Sequence, residues 1–146
     1  MAVLPRLTRM NLGETAYMLQ GLYLVDLEQL RAGYPGIFRA LRRGSLPGAP
    51  HGGRRLRYIR DDPGEVWQSI RDIWQAGGGD CEDLAAAVAA EFTHLGVPAR
   101  PVIKRIRPGL AHAQVQLLGT GQIIDPSAIG GMNERGRERL LSGVWL

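Results

Sequence analysis

One cysteine, Cys81, serves the whole 146-residue chain, and that scarcity excludes an internal disulfide and any zinc module built from paired cysteines. Aromatic residues are also few, at three Trp, four Tyr and two Phe, and they are not interleaved with the basic residues as a base-stacking platform would need. No apolar run approaches bilayer-spanning length, and residues 1–10 lack the continuous apolar core of a signal peptide. The expectation from these absences is a soluble, unexported, cytoplasmic protein that touches no membrane.

What is present is a modest positive charge, +4 overall, concentrated at Arg31, Arg39, Arg42, Arg43, Arg54, Arg55, Arg57 and Arg60. Such a run is read first as a solvated surface, and no nucleic-acid motif accompanies it. Asn11 followed by Glu14 reads as a capping box that opens a helix to about residue 30, with Leu12, Ala16, Leu19, Leu22, Tyr23, Leu27 and Leu30 at helical spacing. Gly33-Tyr34-Pro35-Gly36 breaks it, and a short helical piece over 37–43 leads into a Gly- and Pro-rich loop over 44–53. Asp62, Pro63 and Glu65 are expected to start a helix carrying Val66, Trp67, Ile70, Ile73 and Trp74.

After Gly77-Gly78-Gly79, Asp80 is expected as an N-cap with Asp83 at the capping-box position, which places Cys81 at the first helical residue. Cys81, Leu84, Ala85, Val88, Phe92 and Leu95 then share one stripe, and Gly96 with Pro98 ends the helix. Residues 99–107, 110–118 and 122–125 read as three strands joined by turns at Pro108-Gly109 and Gly119-Thr120-Gly121, and 133–141 as a short amphipathic helix. The fold class is therefore α+β, with N-terminal helices and the Cys81 helix packed on an antiparallel sheet. Residues 1–146 are expected to form one domain, its helical part over about 8–76 and its core over about 77–132.

Helix N-termini favour a thiolate, and Cys81 heads a helix. Strand alternation puts His112 on a polar face with Gln114 and Gln116, opposite Ala113 and Val115, and Asp125 closes the next strand before Pro126. A thiol, an imidazole and a carboxylate in that order fit a cysteine nucleophile, its base and the group that orients the base. The glycine run admits two readings, a close approach for substrate backbone or a plain helix-ending linker.

The runs Gly79-Asp80-Cys81-Glu82-Asp83-Leu84-Ala85, Leu95-Gly96-Val97-Pro98, Ala111-His112-Ala113-Gln114-Val115 and Ile124-Asp125-Pro126-Ser127 resemble the core of the transglutaminase-like superfamily, which has a papain-like fold. They are most similar to the small transglutaminase-like proteins of tailed phages and prophages. The resemblance covers roughly the second half of the sequence and implies Cys81, His112 and Asp125 as the catalytic triad. It implies a cysteine peptidase or amide hydrolase working through an acyl-thioester, with a peptide or protein substrate, a phage structural protein among the partners, and a virion as an alternative location. Transamidation by the same thioester is the first alternative. A non-catalytic morphogenesis scaffold, whose basic segment contacts an acidic partner, is the second.

The backbone N–H of Cys81 is the natural oxyanion donor, and Gln75, Trp74 and Trp67 are candidates for the second, although both tryptophans also fit a core stripe. No cofactor is required. Asp80, Glu82 and Asp83 crowd the thiol with negative charge, which suggests calcium, as in bacterial transglutaminase-like cysteine peptidases. The preferred reading gives Asp80 and Asp83 to capping and Glu82 to solvent, with no metal.

Overall fold

Seven buried side chains, Thr15, Leu19, Leu22, Tyr23, Asp26, Leu27 and Leu30, form the inner stripe of helix α1 (Leu12–Arg31). They belong to a computed structural model of the protein that describes residues 12–42, 55–60, 66–107 and 110–132. The expectations for Asn11, the 44–53 loop, Asp62, Pro63, Glu65, the Pro108-Gly109 turn and the 133–141 helix lie outside those residues. Of the expected members, Leu19, Leu22, Tyr23, Leu27 and Leu30 are buried, Leu12 is half-buried and Ala16 is exposed, while Thr15 and Asp26 join the stripe. Tyr23 Oη donates to Thr93 Oγ1 at 2.9 Å, and Thr93 Oγ1 donates to Ala99 O at 3.2 Å, so one series of bonds ties the first helix to the later helix and sheet.

Helix α2 (Phe38–Arg42) is capped by a residue distant in sequence. Glu91 Oε1 accepts from Ile37 N at 2.5 Å and Phe38 N at 2.9 Å. Burial pushes the Glu91 carboxyl above its ordinary value, against these two backbone bonds, which pull it down. A Cβ on Gly36 would lie 2.2 Å from Glu91 Cδ, so glycine there leaves room for the cap.

Strand β1 (Arg57–Tyr58) precedes helix α3 (Ile70–Ala76), which begins later than the sequence suggests. Ser69 is its N-cap, closing a capping box with Asp72, and Trp67 lies ahead of the helix rather than on its stripe. Tertiary partners account for the shift: Asp26 Oδ1 accepts from Ile70 N at 2.8 Å, and Asp83 Oδ1 accepts from Gln68 N at 2.8 Å. Each carboxylate satisfies a backbone donor that a helix running back to Asp62 would have used internally.

Gly77 ends α3 at φ +86°, and Gly78-Gly79 form strand β2, parallel to β1 with Arg57 opposite Gly78. A Cβ on Gly78 would lie 1.9 Å from Arg57 O. Gly77 thus ends the helix, as one of the two readings expects, and Gly78 serves close backbone approach within the fold.

Helix α4 (Cys81–His94) is buried at every position from 81 through 90, so its expected one-sided stripe becomes burial all round. Ala85, Ala86, Ala87, Ala89 and Ala90 explain how: with a methyl as the largest group on most sides, neighbours close in from every direction. Those neighbours are α1, β2, α3, strands β3 (Ala99–Arg107) and β4 (Leu110–Leu117), and helix α5 (Pro126–Ile129). Leu95, placed on the stripe by spacing, lies past the helix end and is exposed.

The antiparallel sheet runs in the order β3, β4, β5, with β5 at Ile123–Ile124. Its register sets Val102 opposite Gln114 and Lys104 opposite His112. Ala113 and Val115 are fully buried. The architecture is α+β with a small antiparallel sheet, as expected. Among the described residues, no helix is long and apolar enough to cross a membrane.

Candidate active site

Reciprocal capping fixes the start of α4. Asp80 Oδ1 accepts from Asp83 N at 3.0 Å, and Asp83 Oδ2 accepts from Asp80 N at 3.2 Å. Cys81 therefore occupies the first helical position, where helix N–H groups lack intrahelical acceptors. Its residue is 7% exposed.

Glu82 departs from expectation. It is fully buried instead of solvated, because a helix packed on all sides has no solvent face at its second position. The Cys81 thiol donates to Glu82 Oε2 at 3.2 Å. Asp80 and Asp83 are buried too, and both Asp83 oxygens accept backbone N–H bonds. Among the described residues, no group of three or more His, Cys, Asp or Glu side chains is arranged to hold a metal ion. Two of the carboxylates suggested for calcium are thus engaged in holding the backbone in place.

His112 is buried to 1% exposure although its strand neighbours Gln114 and Gln116 on that face are half-buried. Its Nε2 lies 2.9 Å from Asp125 Oδ2. The other carboxylate oxygen, Oδ1, accepts from Ser127 N at 3.1 Å and Ala128 N at 3.4 Å, making Asp125 the N-cap of α5. One oxygen anchors the carboxylate to the backbone while the other faces the imidazole. Burial, the largest influence, pushes the Asp125 carboxyl up. The hydrogen bond and charge of His112, with the Ala128 N–H and the Gln114 side chain, outweigh it and hold the carboxyl below its ordinary value.

The structure thus brings His112 and Asp125 into contact. Cys81 opens a helix that packs against β4, which carries His112, and against α5, which Asp125 caps. In the tautomer protonated at Nε2 the imidazole donates to Asp125, and its acceptor lone pair lies on the buried Nδ1.

The three oxyanion candidates separate. Gln75 is exposed on α3. Trp74 Nε1 donates to Pro35 O at 3.0 Å and is committed there. Trp67 is 1% exposed, and its indole N–H has no hydrogen-bond partner among the described residues. It directly precedes Gln68, whose backbone N–H is tied to the first turn of α4 through Asp83.

Two residues named from the sequence, Gln114 and Glu82, take parts at this site that sequence reasoning did not assign them. Gln114 shares its strand face with His112, and the alternation that placed His112 was the available signal for it. Glu82 offered no signal, since its burial depends on packing around the entire helix.

No family model and no curated protein matches the sequence. Among solved structures, it is similar to the periplasmic domain of TgpA from Pseudomonas aeruginosa bound to ethylmercury, with 17% sequence identity, coverage of 86% of this chain and 46% of that one, and a TM-score of 0.43. The present sequence spans less than half the length of that domain.

Proposed function

We propose that the protein is a transglutaminase-like cysteine amide hydrolase, with Cys81 as nucleophile, His112 as general base and acid, and Asp125 as the group that orients the imidazole. The observation that carries this reading is the buried His112 Nε2 to Asp125 Oδ2 contact at 2.9 Å, on elements packed against a helix headed by the single cysteine of the sequence. His112 takes the thiol proton, and the thiolate attacks an amide carbonyl carbon. The tetrahedral oxyanion faces the Cys81 backbone N–H, with the Trp67 indole N–H as the second donor. Collapse breaks the C–N bond as His112 returns the proton to the leaving amine, leaving an acyl-thioester. Water then releases the acid, His112 again serving as base. An amine in place of water gives transamidation, and hydrolysis is the preferred outcome.

The test is alkylation of Cys81 by iodoacetamide across pH in the native protein, in the urea-denatured protein, and in His112→Ala and the bulkier His112→Gln. Alkylation near neutral pH that exceeds the denatured rate and disappears in both folded variants supports the reading. Ordinary thiol behaviour, unchanged by either variant, overturns it and favours a binding scaffold.

A further inference from the structure

The sheet flanks His112 on both sides. Asp125 follows β5 on one side, and on the other the register places Lys104 of β3 directly opposite His112. Residues paired across antiparallel strands project to the same side of the sheet, with Cβ atoms about 4.5–5.5 Å apart. Lys104 therefore stands beside the imidazole, but unlike His112 it is exposed. It makes no ion pair or hydrogen bond among the described residues. Arg100, four residues earlier on the same strand face, is instead committed to Gln116 Oε1 through Nε at 3.2 Å and Nη2 at 2.9 Å.

The start of α4 is rich in carboxyl groups. Asp80, Glu82 and Asp83 are buried around Cys81, and Asp125 lies against His112. Carboxyl groups crowd the thiol and the imidazole, and the cation that strand register sets directly opposite His112 is Lys104. Lys104 carries its ammonium on a flexible stem about 6 Å long, one strand across from the imidazole.

We propose that Lys104 forms an anion-accepting subsite beside His112, so that the acyl donor is a peptide bearing a carboxylate close to the amide under attack. This rests on the proposed function of Cys81 and His112. The carboxylate belongs either to an acidic residue of the peptide or to its C-terminal end, since the chemistry at the ammonium is the same.

Two alkylating reagents test it on the intact protein. Iodoacetate and iodoacetamide both form a sulfur–carbon bond and expel iodide, but only iodoacetate brings a carboxylate next to the reacting carbon. The ratio of their rates at one pH reports the local field on the reagent, because the thiolate population is common to both. In the native protein the ratio is expected to exceed that of the denatured protein. Lys104→Gln lowers it by about fivefold, the effect of one partly screened charge at this range. Lys104→Arg retains it, and Arg100→Gln leaves it unchanged. A native ratio at or below the denatured one, or a ratio indifferent to Lys104→Gln, overturns the subsite.

Failure of the subsite is distinct from failure of the proposed function, which is decided by iodoacetamide alone in the His112 variants. The source of the carboxylate is read by protection of Cys81 from iodoacetamide. N-acetylglutamate α-amide presents only a γ-carboxylate, and N-acetylglutamine only an α-carboxylate. Protection that Lys104→Gln abolishes supports the subsite and names the source, and protection by neither counts against it.

Discussion

Replacing Asp26 with asparagine is expected to stabilise the protein at neutral and alkaline pH. Asp26 is fully buried on α1, and its Oδ1 accepts the Ile70 N–H at 2.8 Å, while Oδ2 has no hydrogen-bond partner among the described residues. Burial pushes its carboxyl well above the ordinary value. The Ile70 bond opposes that shift, and the charges of Asp83 and Asp72 add to it. A carboxyl whose folded value is raised contributes most below its unfolded value, and that contribution is lost as pH rises through the folded value. Each unit of the rise costs about 1.4 kcal/mol at pH above both values.

Asparagine keeps the acceptor for Ile70 and removes the charge. The gain at about pH 8 is expected to be about 1–3 kcal/mol, the cost of a buried polar atom such as Oδ2 left without a hydrogen-bond partner, and it raises Tm in proportion. Near pH 4 the wild-type carboxyl is neutral, so the gain vanishes, and the added amide N–H can reverse it by about 1 kcal/mol. Urea denaturation of both proteins across this range, at constant m-value, measures the difference directly. Asp26→Ala serves as the control, because it strands the Ile70 N–H and should be about 1–3 kcal/mol less stable than Asp26→Asn at every pH. An Asp26→Asn effect that is destabilising and flat with pH would show that the carboxylate is held ionised, refuting the reasoning from burial.

Gly78→Ala drives a methyl against Arg57 O and is expected to break the β1–β2 pair, costing about 3 kcal/mol or more in denaturant titration, whereas the same change at Gly21, with open space around it, costs little. Glu82→Gln removes the charged acceptor of the Cys81 thiol and is expected to raise the iodoacetamide rate near neutral pH several-fold; a rate that falls would give Glu82 a supporting role in thiolate formation. Asp125 is held below its ordinary value, so its stabilisation is present above the unfolded value of about 3.9 and is lost as pH falls through the lower folded value. Asp125→Asn should accordingly cost about 1–3 kcal/mol near neutrality and converge with wild type in acid. Asp125→Ala costs more because it also removes the cap of α5, and equal losses in the two variants would show that the cap adds nothing beyond the carboxylate's charge.

Local rules carried far along this sequence. The β3–β4 hairpin, the capping box at Asp80 and Asp83 and the inner stripe of α1 each depend on residues within a few positions of one another, and each is found where spacing places it. The start of α3 was not legible, because Asp26 and Asp83 cap that segment from 44 and 15 residues away. The same holds for α2, whose N–H groups find Glu91 more than 50 residues later. The contact between His112 and Asp125 could be expected from their order on successive strands, whereas the burial of Glu82 required knowing that α4 has neighbours on every side.

That all-round enclosure of α4 couples thiol chemistry to folding. A helix lying on a surface could fray at its first turn and expose its leading residue while the rest of the molecule stayed intact. Here the first turn is held by Gln68, by reciprocal carboxylate bonds and by packing against the core, so the thiol keeps its position until much of the molecule opens. The enhanced native alkylation of Cys81 should therefore persist in urea up to the global unfolding midpoint and fall to the denatured rate together with the protection of the amides of residues 86–90.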